Sequence, residues 1–363
     1  MRIKIDAIDT LFFKDGKPFS MGEETWADGI FPPSPSVIYG ALCSYILSEN
    51  NSYTKIKQEE LFNELKITNI FYRIKNDNYF PLPLDFVYKK NKSAAEKNRE
   101  KNTKLYKVSL LTGKQMNVVS SIPNPISVIR ADDEVEGLSN AFINDTTLLN
   151  YLQGYIDSEI DCIDINDHLI IESKIGIGRD NKTHTTEESK LYRVGMRRPK
   201  NFSIIVDLKG IEQINKKTNF IKLGAEGKIA KISQAKISYS FQNDISITSN
   251  YFKIYLQTPS FFKKGWLPSW IDENTFIGQY NDLKLKLITA FIGKPLNLGG
   301  FDMLKKMPKP MRKAVPAGSV YYFEILNGDF EKVKNSFNNK SISEFNTDIF
   351  GYGLALVGIY NVQ

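Results

Sequence analysis

Histidine and cysteine are nearly absent from this chain, with two of each in 363 residues. Cys43 and Cys162 stand far apart, with no Cys or His at ligand spacing, which argues against a zinc site and against a disulfide framework. His168 and His184 are the only imidazoles, so acid–base chemistry at neutral pH has few candidates. His168 adjoins Asp167 at the edge of a strand and reads as structural; His184 lies at a polar hairpin tip. The acidic run Asp132-Asp133-Glu134-Glu136 reads as an exposed turn rather than a metal site. No apolar run approaches a membrane span. The opening MRIKIDAIDTLFF alternates polar and apolar residues and lacks the basic-then-apolar layout of a secretory signal. A soluble, reduced, cytoplasmic protein without metal or cofactor is expected.

What is present is a core and a modest excess of cations. Hydrophobic residues make up 42% and aromatics 12%, enough to bury more than one core at this length. Lysine and arginine number 48 against 41 acids, for a net charge of +7 and a pI near 9.0. That balance leans toward an anionic partner without establishing one.

The most informative stretch is Lys294–Phe323. Gly299-Gly300 lets the backbone turn or approach another chain closely. Lys305, Lys306, Lys309, Arg312 and Lys313 follow, while Pro308 and Pro310 keep the basic run from closing into a helix. Val320-Tyr321-Tyr322-Phe323 has strand composition. A glycine turn ringed by cations suits a phosphodiester backbone.

Read in order, the chain opens on a strand, Ile3, Ile5 and Ala7 pointing one way and Lys4 and Asp6 the other. Ser34 and Pro35 then start a helix with Val37, Ile38, Ala41, Leu42, Tyr45 and Ile46 on one face. Residues 89–107 are poor in apolar side chains and read as a mobile basic insertion. Residues 169–198 read as a long hairpin with a polar tip. From Phe252 the order is strand, a short aromatic and helical piece at Trp266–Phe276, strand Leu283–Ile292, strand Val320–Leu326, helix Asp329–Asn338 and strand Leu354–Tyr360. That is β-α-β-β-α-β, the ferredoxin-like arrangement. The basic stretch joins its two middle strands, and all three tryptophans read as core.

Four segments together resemble one family: Asp9–Leu42, Phe80–Val87 (FPLPLDFV), Lys174–Arg197 and Leu298–Phe323. They are similar to the Cmr-type RAMP protein that sits beside the large polymerase-like subunit in type III-B CRISPR effectors. The resemblance implies an α+β fold of two ferredoxin-like, RRM-like RAMP domains with long insertions and glycine-rich loops. These are placed at 1–208 and 209–363. It implies a non-catalytic antiviral role: holding the 5′ tag of the crRNA and docking the polymerase-like subunit to the neighbouring RAMP subunit of the backbone. Candidate RNA contacts are Lys14, Lys17, Ser34, Ser36, Arg130, Lys174, Arg179, Gly299, Gly300, Lys309, Arg312 and Lys313. Alternative readings are a crRNA-processing RAMP endoribonuclease and an adaptor without RNA contact.

Overall fold

The computed structural model describes residues 1–14, 16, 26–27, 29–49, 64–89, 105–111, 128–130, 134–156, 159–180, 182–183, 185–211, 219–238, 249–302 and 307–360. Helices α1 (Pro35–Glu49), α2 (Asp145–Leu152) and α3 (Phe330–Phe337) accompany an architecture made mostly of strands. The first sheet contains β1 (Arg2–Ala7), β2 (Lys66–Ile74), β3 (Asp77–Pro81), β4 (Ala141–Asn144) and β5 (Ile163–Asp164). A hairpin of β6 (Leu169–Arg179) and β7 (Thr186–Pro199) follows, and the chain then returns to the first sheet with β8 (Phe202–Lys209), β9 (Asn219–Lys222) and β10 (Ile229–Gln234). The second sheet holds β11 (Tyr251–Leu256), β12 (Ile277–Tyr280) and β13 (Leu283–Phe291). An arch formed by β14 (Leu296–Leu298) and β15 (Arg312–Ala314) leads back into it through β16 (Val320–Asn327), β17 (Lys340–Ser341) and β18 (Leu354–Ile359). None of the described helices is long and apolar enough to cross a membrane.

Both sheets are antiparallel. The first runs β5-β4-β3-β2-β8-β1-β10-β9 and the second β12-β13-β16-β11-β18-β17. The division expected at 208/209 falls inside the first sheet, because Ile3 and Ile5 of β1 pair with Gln234 and Ile232 of β10. The helix expected within Trp266–Phe276 is absent; that segment is a series of turns and single bridges such as Ile271 to Gly278. Trp266 is exposed there rather than core, whereas Trp270 stacks on Phe323 at 5.7 Å. Most of the basic insertion lies outside the described residues. Its far end does not fit an exposed loop: Leu105 is buried, and Tyr106–Lys107 pairs with Phe86–Val87.

Strand periodicity assigns the cores, since successive side chains leave opposite faces. Ile204, Val206 and Leu208 meet α1 through one face of β8, while Ile205 points the other way. Phe252, Ile254 and Leu256 face α3, whereas Tyr255 faces the first sheet. The layer between the sheets gathers Phe71, Phe80 and Ile205 from one and Tyr255, Val320, Tyr322 and Leu356 from the other. Helix α1 is buried more widely than one face: Tyr39 and Cys43 are covered as well as Ile38 and Leu42. The ring of Phe350 meets Tyr39 edge-on at 4.9 Å.

Polar groups also cross the inter-sheet layer. Asp85 accepts hydrogen bonds from the hydroxyls of Tyr151 at 2.7 Å and Tyr322 at 2.6 Å. Lys253 of β11 is fully buried; its Nζ donates to the Tyr151 carbonyl at 2.7 Å and lies 3.3 Å from the Tyr151 ring centroid. A ring face favours a charged amine by about 2 kcal/mol, less than the several kcal/mol that desolvating the ion costs. Burial therefore holds the amine well below the usual lysine range; the Lys107 charge adds to that and Asp85 opposes it.

The folded state thus releases this proton at a lower pH than the unfolded chain, whose lysines titrate near about 10.4. Between those two values unfolding takes up a proton, so stability rises with pH by up to about 1.4 kcal/mol per unit. Urea unfolding measured from pH 7 to 10 is expected to show this slope in the parent and to lose it in Lys253→Met. An unchanged slope in the variant would show that Lys253 keeps its proton when folded.

Candidate nucleic-acid interface

The arch closes a glycine turn over the end of the second sheet. Leu298 and Ala314 are buried against Phe261 and Tyr352. Leu296 and Leu298 pair with Ala314 and Arg312, so Asn297 stands opposite Lys313. A side chain at Gly299 would meet Met311 Cε at 3.0 Å, and Gly300 has φ 142° while its carbonyl accepts the Lys309 amide at 2.9 Å. The left-handed backbone at Gly300 favours glycine there, and Gly299 packs closely against the end of Met311.

Two other loops meet the arch. A Cβ on Gly16 would lie 2.7 Å from the Asn297 carbonyl oxygen and 3.0 Å from Met311 Sδ, so the first loop, with exposed Lys14, abuts β14 and β15. Beneath it is the start of α1. The Ser34 carbonyl accepts the Val37 amide at 3.0 Å, Ser34 Oγ and Ser36 Oγ are 3.3 Å apart, and Ser36 Oγ lies 2.9 Å from the Tyr352 hydroxyl. Tyr352 belongs to the turn Gly351-Tyr352-Gly353, where φ is positive at both glycines and a Cβ at Gly351 would press on Ile67 at 2.6 Å. This turn serves to pin the second sheet onto the first. Lys66 and Asp348, paired at 2.6 Å, reinforce the same junction.

Cations around this point differ in what already holds them. Lys309 Nζ lies 4.7 Å above the Phe350 ring and Arg312 lies 4.2 Å from the Phe345 ring. Burial pushes the Cys43 thiol up to about 12 even though its hydrogen bond with Tyr39 and the Lys309 charge pull it down. Among the described residues Lys14, Lys309, Arg312 and Lys313 have no carboxylate within ion-pair distance. Lys174, by contrast, is bound to Glu226, and Arg198 to Glu172. Asp9 takes Lys228 at 2.7 Å and Arg198 at 3.4 Å; the Lys228 hydrogen bond and the Thr10 amide hold its carboxyl down at about 2.

The structure therefore brings together Lys14, Ser34, Ser36, Gly299, Gly300, Lys309, Arg312 and Lys313. Lys174 stands on the hairpin, in an ion pair, and is set apart from them. Arg130 lies in a ribbon of residues 109–111 and 128–130 that joins neither sheet, and Arg179 ends β6; their side chains, and all of Lys17, Lys305 and Lys306, are outside the described residues. His184 and Asp132-Asp133 are outside them too. His168 ends a short 3-10 turn at the root of the hairpin, where burial lowers its pKa. It is not part of the cluster. Among the described residues no three His, Cys, Asp or Glu side chains gather as a metal site. Phe345, Phe350 and Tyr352 were not among the expected contacts, yet they supply the aromatic floor. Their signal was the spacing of aromatics about two glycines near the C-terminus.

The sequence profile described as CRISPR-associated protein (Cas_Cmr3) matches residues 3–360. No curated protein matches the sequence significantly. A chain of the cryo-EM structure of the type III-B Cmr-beta bound to cognate target RNA and AMPPnP, state 1, is 19% identical with a TM-score of 0.50, over 89% of this chain and 86% of that one. A chain of the type III-B Cmr-beta bound to cognate target RNA is 17% identical with a TM-score of 0.50, over 92% of this chain and 89% of the other. At these identities the structures report a shared fold, and the family follows from the profile. Since that profile spans both sheets, the hairpin and the arch, the chain belongs to the Cas_Cmr3 family of CRISPR-associated proteins.

Proposed function

We propose that this protein is an RNA-binding, non-catalytic subunit of a type III-B CRISPR effector. It holds the 5′ tag of the guide RNA between the arch, the first loop and the start of α1, and joins the large polymerase-like subunit to the RAMP backbone. One observation carries this reading: Lys14, Lys309, Arg312 and Lys313, which have no carboxylate partner among the described residues, surround a glycine turn beside the start of α1, an arrangement that suits phosphates. Family membership and a similar fold in a complex bound to target RNA support it.

The same reading takes each sheet as the core of one ferredoxin-like domain. The strands β10-β1-β8-β2 and β18-β11-β16-β13 each stand in the order fourth, first, third, second. Helices α1 and α3 supply one helix to each. Among the described residues, β9 stands where the second helix of the first unit would come, and the turns before β12 where the first helix of the second unit would come.

Replacing Lys309, Arg312 and Lys313 together by Ala is expected to weaken binding of a repeat-tag RNA by at least about tenfold. It should also flatten the slope of log K against log salt by about 2, from about 0.7 per lost phosphate contact on a single strand. Lys313→Ala alone touches no aromatic ring and should lose about a third of that slope with unchanged thermal stability. Filter binding across a salt series measures both, and unaltered slopes would place the RNA elsewhere.

The chain is also expected to leave repeat RNA intact on prolonged incubation. Cut products that vanish when His168 and His184 are both changed to Ala would replace binding with endoribonuclease activity.

A further inference from the structure

Of the aromatic side chains beside the arch, Phe345 is the one that the cores do not use. Phe350 is half-buried among residues of α1 and the arch, with Tyr39 edge-on at 4.9 Å, and Tyr352 is buried against Phe261. Phe345 belongs to none of the apolar clusters among the described residues and is 39% exposed. Its backbone is also in an unfavourable place for that side chain. Phe345 has φ 64° and Asn346 φ 55°. Asparagine tolerates the left-handed region, whereas a bulky aromatic residue there is strained. Such strain persists only where the surroundings impose it, and it gathers at binding sites.

Here the surroundings do impose it. The Glu344 amide donates to the Phe261 carbonyl at 2.8 Å, and the Glu344 carboxylate accepts the Lys263 amide at 2.6 Å and the Ser269 amide at 2.7 Å. On the other side, Thr347 Oγ1 donates to the Glu344 carbonyl at 2.7 Å and lies 2.7 Å from Ser343 Oγ, which accepts the Phe261 amide at 2.9 Å. These bonds fix the chain on both sides of Phe345 and leave its ring to other partners.

The ring meets a cation. The Arg312 guanidinium carbon lies 4.2 Å from its centroid, while Lys309 sits over Phe350 at 4.7 Å. Fastening the arch would need only a packed ring under a cation, as at Phe350; it would not need a strained aromatic left in water. Glu344, the acid next to Phe345, is engaged by backbone amides, and no carboxylate among the described residues lies within ion-pair distance of Arg312. An exposed ring beside an unpaired guanidinium offers flat surface to a base and N–H groups to the phosphate next to it.

We propose that Phe345 and Arg312 form a stacking platform for one unpaired base of the strand held at the arch. The inference rests on RNA binding there and adds what phosphate contacts do not supply. A cation accepts any phosphate, so lysines alone let a strand slide; a ring that admits one base fixes its register. Every base has a π-face, so the platform positions the strand without demanding a particular base.

The test uses the full chain and a repeat-tag RNA carrying an abasic nucleotide at each position in turn. One position should cost about tenfold in affinity. Phe345→Asn should cost the parent RNA about the same, and in that variant the abasic nucleotide should cost nothing further. Asparagine suits the left-handed backbone, so thermal stability should hold, and the salt slope should not change because no phosphate contact is lost. Phe345→Tyr should bind as the parent does. Unchanged affinity in Phe345→Asn, or an abasic cost that persists there, would overturn the platform while leaving RNA at the arch. Unchanged affinity together with loss of a copurifying protein would overturn it in favour of a protein contact. No binding by the parent, or an unaltered salt slope when Lys309, Arg312 and Lys313 are replaced together, would overturn the arch as the RNA site and the platform with it.

Discussion

Phe71 and Ile205 on one sheet, and Tyr255, Tyr322 and Leu356 on the other, leave water only by meeting each other. Each such side chain contributes about 1.5–3 kcal/mol on full burial, so the layer outweighs any single polar contact nearby. The rest of the arrangement follows from it. Once the sheets are face to face, Gly351 comes down on Ile67, Tyr352 reaches Ser36, and the arch is carried over the start of α1. The polar groups inside the layer are answered in part: one oxygen of Asp85 takes two tyrosine hydroxyls while its Oδ1 has no hydrogen-bond partner among the described residues, and Lys253 donates to a carbonyl. They restrict how the faces fit without supplying most of the energy.

Local periodicity was a good guide wherever one strand or helix face met one core. The alternation of Ile3 and Ile5, the spacing of Phe330, Val333 and Phe337, and Leu283, Leu285 and Leu287 of the expected strand Leu283–Ile292 all reappear as buried rows. Asp329 caps α3 through the Lys332 amide at 2.8 Å, close to the expected start. Legibility failed where tertiary context overrode pattern. Trp266 and Trp270 share helical spacing, but the chain between them turns, and the two rings part toward solvent and core. Strand β10 pairs with β1, more than 200 positions earlier in sequence, a choice no local window contains. Helix α1 looked one-faced because the cover on its far side, Phe350, arrives from the other end of the chain.

The candidate site shows the same split. Its glycines and lysines were visible as composition, because turns and cations are local properties. Which cations keep an unspent charge was not visible. Lys174 and Lys309 look alike in the sequence, yet one is held by Glu226 and the other rests on an aromatic ring. A ring orients a cation without neutralising it, and so leaves it able to attract phosphate. A carboxylate does both jobs at once and removes the residue from the account.

Tyr352 touching Ser36 has a consequence in time as well as in space. A ribosome delivers α1 more than 300 positions before the turn that bears on it, and the arch arrives only shortly before that turn. Until nearly the whole chain has emerged, the start of α1 has neither its floor nor its basic roof. The site is thus a property of the finished molecule, and a truncated or half-folded copy presents no cradle with which to compete for an anionic ligand.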